Sequence, residues 1–396
     1  LKTLDNVTGM NQAIGYQAGL TLSSGYLNTF IGHTAGKLVA SGTGNVIIGS
    51  RSFAAADGGE SNNIMIGADV GTAIDHDDAD NNIAIGNDAM TGGEAAMTKC
   101  IAIGGNAMNS TAANAPTGTI AIGYDALTSL TDGLYNIAIG YEAGNFATTT
   151  AASTFIGFQA GKGITGAKLT GDNNTAIGNN AGLLLQGAST GNTLVGGTAG
   201  SSLTTGTYCT IIGEAAGATT TGSNNTFVGW RAGNDVTSGT ASVAVGRQAG
   251  GDADVALTGA NNTSVGDQAG VALQGSAAGN TLIGKNAGDG ITTGDSNTVI
   301  GTNADISGVG VDDEIVIGAA TTGQGTTVAT IGNGNLTYLR AGDDAGGTFV
   351  GAGQSWSDKR IKENVKDIGL GLDFIKKLTP IQYTKKQPKD YEDSLK

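Results

Sequence analysis

One phrase, Asn174-Thr175-Ala176-Ile177-Gly178-Asn179-Asn180-Ala181-Gly182, recurs along most of this chain and constrains its fold more than any other feature. Its general form is Asn, Thr or Ile, a variable apolar residue, Ile or Val, Gly, two free positions, Ala, Gly. Nineteen copies of its Ile/Val-Gly step stand in the repeat's register from Gly15 to Gly332, at a mean spacing of about 17.6 residues. So short a period, held over about 320 residues, predicts a solenoid in which each repeat is one coil stacked on its neighbours.

The coil is built from strand. Asn136-Ile137-Ala138-Ile139 alternates with period 2, is β-branched and stops at a glycine. No stretch of the repeat sustains the 3.6-residue spacing of a helix. Gly140 permits a turn at positive φ, and Ala143-Gly144 suits a second short strand or a corner. The remaining residues, rich in Thr, Ser, Gly and Ala, close the coil. The Ile or Val before each glycine is expected to face the coil interior. The residue before it should then point outward, yet it too is mostly apolar, as at Phe30, Ile47, Met65, Phe155, Leu194, Ile211 and Phe227. Strands apolar on both faces are buried on both faces. Either loops fold back over the outer face, or several chains pack around one axis. The second arrangement is favoured, and at this period a parallel trimer is its natural form.

Parallel coils rise about 4.8 Å each, so eighteen steps predict a rod roughly 85 Å long. The 69 glycines fall at fixed places in an apolar pattern, which argues for order rather than disorder. Starting at Leu1 within fibre-like sequence, the chain reads as a fragment of a longer protein. The first residues do not read as a signal peptide, and no apolar run approaches a membrane span of about 18 to 20 residues. Charge divides the chain. Residues 357–396 hold ten of the twenty Lys/Arg and seven of the 34 acidic residues, a balance of +3, which leaves −17 for the rest. An acidic rod lacks the basic stripe that nucleic-acid binding needs. The expected domains are a repeat shaft at 1–332, a neck at 333–356 and a C-terminal segment at 357–396. In that last segment Ile368, Leu372, Ile375 and Leu378 recur at helical spacing before Pro380.

Candidate sites lie on the exterior. The position after the repeat glycine forms a variable column, and Tyr124, Tyr141 and Phe158 place three rings on consecutive coils, a ladder that could hold sugar rings or fill its own groove. Longer intervals before Gly86, Gly123, Gly178 and Gly266 predict loops bulging from one side. One of them, Asp75-His76-Asp77-Asp78-Ala79-Asp80, clusters carboxylates but lacks the glycine and terminal glutamate of an EF-hand, and reads as a solvated acidic loop. No metal or cofactor is expected. Cys100 and Cys209 both stand where the repeat usually has Asn. Six coils separate them, about 29 Å on the rise above, whereas a disulfide needs Cα atoms within about 7 Å. No intrachain bridge is expected.

Two resemblances follow from the motifs. Asn-Ile-Ala-Ile-Gly at 82–86 and 136–140, with Ser242-Val243-Ala244-Val245-Gly246, resembles the head repeat of trimeric autotransporter adhesins. That resemblance covers about 320 residues and implies a parallel β-roll with three chains around one axis, its coils here lengthened by added loop. Ser357-Asp358-Lys359-Arg360-Ile361-Lys362-Glu363-Asn364-Val365, followed by Leu378-Thr379-Pro380-Ile381-Gln382-Tyr383, resembles the start of the intramolecular chaperone of endosialidase-type phage tail spikes. Such a domain trimerises the fibre and then cuts itself off just before a serine, helped by a lysine five residues on. Carried over, the resemblance implies cleavage between Trp356 and Ser357, with Ser357 as nucleophile and Lys362 as base. A desolvated lysine with a lowered pKa can take a hydroxyl proton. Only 40 residues run from Ser357 to Lys396, fewer than the family's domain usually has.

Together these readings imply an all-β parallel β-solenoid of about 19 coils, homotrimeric, with a short mixed or helical C-terminal segment. The expected function is a structural, receptor-binding phage tail fibre, located in the virion and matured by a self-cleaving chaperone. Its partners would be two further copies and a host-surface glycan or protein, with no nucleic acid and no membrane insertion. A bacterial trimeric-autotransporter adhesin is the alternative. A polysaccharide-degrading spike ranks last, because the repeat carries no fixed acidic pair.

Overall fold

The structure is a computed structural model, and it describes residues 9–336 except 93–96, 111–115 and 253. The described residues carry nineteen strands of three residues each, from β1 (Gln12–Ile14) to β19 (Ala329–Ile331), and no helix. Each strand pairs in parallel with the next along the chain to make a single sheet. Repeat positions align one on one: Ile137, Ala138 and Ile139 of β8 (Ile137–Ile139) face Thr154, Phe155 and Ile156 of β9 (Thr154–Ile156). The all-β solenoid expected from the period is the fold observed. No helix among the described residues is long and apolar enough to cross a membrane.

The strand is three residues long because glycine ends it. At Gly140 φ is +139°, outside the range a side chain tolerates. A Cβ there would also overlap the carbonyl oxygen of Gly157 on the next coil. The same close approach repeats from coil to coil, so this glycine answers to both the turn and the stacking. The Ala143-Gly144 step is a corner rather than a strand.

Which strand face is inside reverses the expectation from sequence. The central residue of each strand points into the coil: Phe30, Ile47, Met65, Phe155, Leu194, Ile211 and Phe227 are all fully buried. The Ile or Val before the glycine points out, with Ile139 and Ile177 each 37% exposed. The interior accepts residues from Ala to Phe because neighbouring coils compensate for size. Where the centre is Ala84, Ala102 or Ala121, the usual corner glycine is replaced by buried Met90, Met108 or Leu127. These three hold φ near +50°. That backbone costs roughly 1–2 kcal/mol, which burial of a large apolar side chain offsets at about 1.5–3 kcal/mol. Where the centre is Phe155, the corners beside it are Gly144 and Gly161, and a Cβ at Gly144 would lie 2.8 Å from the ring.

A column of buried asparagines runs beside the strands. The Asn28 backbone N–H donates to Asn11 Oδ1 at 2.9 Å, and Asn28 Nδ2 donates to Gly42 O at 2.8 Å. Asn45 then repeats the first bond on Asn28 Oδ1, again at 2.9 Å. Each side chain thus joins its own coil to the next and leaves little buried polarity unpaired. Cys100 and Cys209 take the asparagine position. Cys100 N–H donates to Asn82 Oδ1 at 3.0 Å, and its Sγ donates to Pro116 O at 3.1 Å. At the far end Glu314 closes the column. Its N–H donates to Asn297 Oδ1, while its carboxylate accepts from Ser307 N–H at 2.9 Å and Gly325 N–H at 2.7 Å.

Candidate functional site

The three rings singled out in the sequence do form a ladder. Coil stacking brings residues one repeat apart into register. Tyr124 and Tyr141 lie with centroids 5.8 Å apart and planes 11° apart, and Tyr141 and Phe158 follow at 5.4 Å and 9°. They are 51%, 44% and 45% exposed, respectively. The ring faces are engaged with one another, and Tyr124 rests over Gly105, where an added Cβ would lie 3.3 Å from the ring. Ring edges and the two phenol hydroxyls therefore form the presented surface.

The next column along the coil runs parallel to the ladder and is polar. Asn106 Nδ2 donates to Asp125 Oδ1 at 2.9 Å. Gln159 Nε2 and Lys162 Nζ both donate to Glu142 Oε2, each at 2.6 Å. Burial works to raise the Glu142 pKa, but these two donors and the Lys162 charge outweigh it and hold the carboxyl below its ordinary value. The acid beside the rings is ionised and fixed in place. Elsewhere the exterior column repeats the theme at smaller scale: Tyr16 stacks on His33 at 5.3 Å, and Arg247 Nε meets Asp267 Oδ1 at 2.7 Å.

The expected loops before Gly86 and Gly178, whose residues are all described, leave the coil at one point of its circuit, between the corner and the residues leading to the next asparagine. In the first, Ile74 and Ala79 stay in the core while residues 75–78 are exposed. The 157–178 coil does the same, with Ile164 and Ala167 bridging at the base of an excursion that returns at buried Leu169. The acidic run is not a cluster by itself. Asp77 instead meets Asp57 and Glu60 of the preceding coil, with one carboxylate oxygen from each within 4.8 Å of the others. Burial raises the Glu60 pKa against partial relief from the Gly58 N–H, and the charges of Asp77 and Asp57 push it further up. Sequence reading missed this grouping because an insertion residue joins two coils. An alignment of the repeats on their glycines places 57, 60 and 77 side by side.

Both cysteines are free and buried. Burial pushes the Cys100 thiol up to about 11 and moves Cys209 in the same direction, so neither resembles a reactive thiol.

Trp356, Ser357 and Lys362, the helical run at 368–378 and the neck beyond Leu336 lie outside the described residues. Sequence comparison bears on them instead. Residues 357–395 match the family described as chaperone of endosialidase. The match opens on Ser357 and includes Lys362. It upholds the second resemblance drawn from sequence, and a chaperone-of-endosialidase segment following a β-solenoid shaft fits a phage tail fibre. No curated protein matches the chain.

Proposed function

We propose that the chain is the shaft of a trimeric tail fibre that contacts a host-surface receptor through its exterior columns and loops. We also infer that it is parted from its chaperone by self-cleavage. The observation that carries the trimer is the outward strand face. The residue before the strand-ending glycine is Ile or Val in all nineteen coils. The first strand residue adds a second apolar column from Val46 to Ile137, and threonine predominates there afterwards. Covering the exposed remainder of one such isoleucine is worth on the order of 1 kcal/mol. Association costs roughly 4–15 kcal/mol. A stripe repeated along the whole rod exceeds that cost, whereas an isolated pair would not. Continuous apolar stripes of this kind mark interaction surfaces.

The experiment is light scattering coupled to gel filtration. The unmutated protein is expected at three times the mass of its own single chain, whether or not residues 357–396 have been released. Ile139→Asp, Ile177→Asp and Ile212→Asp together should lower that mass while far-ultraviolet dichroism stays that of folded β. The buried Phe155, Leu194 and Phe227 are unsuitable for this purpose, since charging them breaks the coil itself. A well-folded monomer from the unmutated chain would overturn the proposal.

The chaperone match supports the processing step. Lys362 accepts the Ser357 hydroxyl proton as the oxygen attacks the Trp356 carbonyl carbon. The peptide C–N bond breaks, the proton passes to the released amine, and water then hydrolyses the ester to leave Trp356 with a free carboxylate. Intact-mass measurement of the expressed protein decides this step. A Ser357→Ala protein still cut after Trp356 would end the assignment.

A further inference from the structure

We propose that the Tyr124–Tyr141–Phe158 ladder seats a linear, uncharged glycan lying along the rod, and that its acidic flank turns polyanionic chains away. This rests on the receptor-binding reading above and narrows it to one class of ligand. Three observations carry it.

The first is size. The ring spacings of 5.8 and 5.4 Å give a patch about 11 Å long. A protein partner needs about 800 Å² per side for a stable interface, far more than three ring edges offer. A sugar chain meets the patch with a few units. The second is repetition. The patch is one chemical group presented three times at nearly equal steps on consecutive coils, and a polymer of identical units can satisfy each step in the same way.

The third is the chemistry of the flank. Tyr124 and Tyr141 offer hydroxyls that both donate and accept. Beside them Asp125 and Glu142 are already held by Asn106, Gln159 and Lys162, so the acceptors are positioned before a ligand arrives. Carboxylates accept from sugar hydroxyls, and a neutral sugar brings many. A chain carrying its own carboxylates or sulfates meets like charge twice, once at this lane and once in the acidic field of the shaft. Exposed rings with fixed acceptors alongside therefore select hydroxyl-rich, uncharged polymers.

The test is affinity electrophoresis of the intact protein through gels containing a neutral polymer, dextran or hydroxyethyl cellulose, or an anionic one, hyaluronan or polysialic acid. Tyr141→Ala serves as the comparison, because other coils carry alanine at the same position, as at Ala68 and Ala319. A matching thermal melt confirms that the variant folds. A neutral polymer is expected to retard the wild-type protein, Tyr141→Ala should weaken that retardation about tenfold, and the anionic polymers should not retard it at physiological salt. Retardation by an anionic polymer that is lost in Tyr141→Ala would overturn the proposed class while leaving the ladder a receptor site. No retardation by any polymer, or retardation unchanged in Tyr141→Ala, would overturn the ladder assignment itself.

Discussion

Gly140 and Gly166 show how unequal two glycines of one chain can be. Gly140 combines φ of +139° with a neighbouring carbonyl where its Cβ would stand, whereas Gly166 has nothing within 4 Å of that point. Gly140→Ala is expected to cost at least about 1–3 kcal/mol from backbone strain alone. Gly166→Ala should fall within about 0.5 kcal/mol of wild type, and paired thermal melts check both values. Glu60 makes a second prediction, one that depends on pH. Its folded pKa is raised, so the native state binds more protons than the unfolded chain, and its contribution to stability declines as pH rises above the ordinary 4.5. Glu60→Gln should therefore raise the melting temperature at pH 7, with the gain shrinking as pH falls below that value. An equal gain at all pH values would show that the charge is not the cause. The raised pKa comes first from burial of the carboxyl, and the charges of Asp77 and Asp57 add to it through a contact between coils that sequence order hides.

At the scale of one coil, size is traded between strand centre and corner. Phe155 fills the space above Gly144 and Gly161, so Phe155→Ala opens a cavity that neither glycine can fill. The expected cost is about 3–5 kcal/mol, read from denaturant melts, and a loss under about 1 kcal/mol would mean the coil collapses around the gap. This trade also explains what could be read from sequence and what could not. The glycine period located every strand, since Gly at the turn is required twice over. It also aligns Tyr124, Tyr141 and Phe158, because register follows from a constant period. The inside face was misassigned because both alternate positions are apolar, and Ile at 139 looks as well suited to a core as Ala at 138. Only the covariation of sizes, Ala102 with Met108 and Ala121 with Leu127, distinguishes them. Ala79, inside the acidic run read as a solvated loop, belongs to the core, as do Ile74 just before it and Leu169 on the 157–178 coil.

Over the whole shaft, every coil touches only the coil before and the coil after, so stability is close to a sum of neighbour terms. Cys100 and Cys209 sample that sum at two internal points, six strands apart. Both thiols should be unreactive toward a thiol reagent in the native protein and react fully after denaturation. Native labelling as fast as a free thiol would show that these coils open readily. The direction of the hydrogen bonds has a mechanical consequence. Strand bonds such as Ile137 N–H to Ser153 O, and the asparagine side-chain bonds with them, run from coil to coil along the rod. Tension on the two ends therefore loads all these junctions in series, each bearing the full force, and the weakest yields first. At Cys100 and Cys209 a thiol sulfur stands where an amide oxygen would otherwise hold the next coil, so those two junctions are expected to yield early. Each coil that yields frees about 18 residues, or roughly 60 Å of contour length, and the shaft lengthens in discrete steps while the coils on either side stay wound.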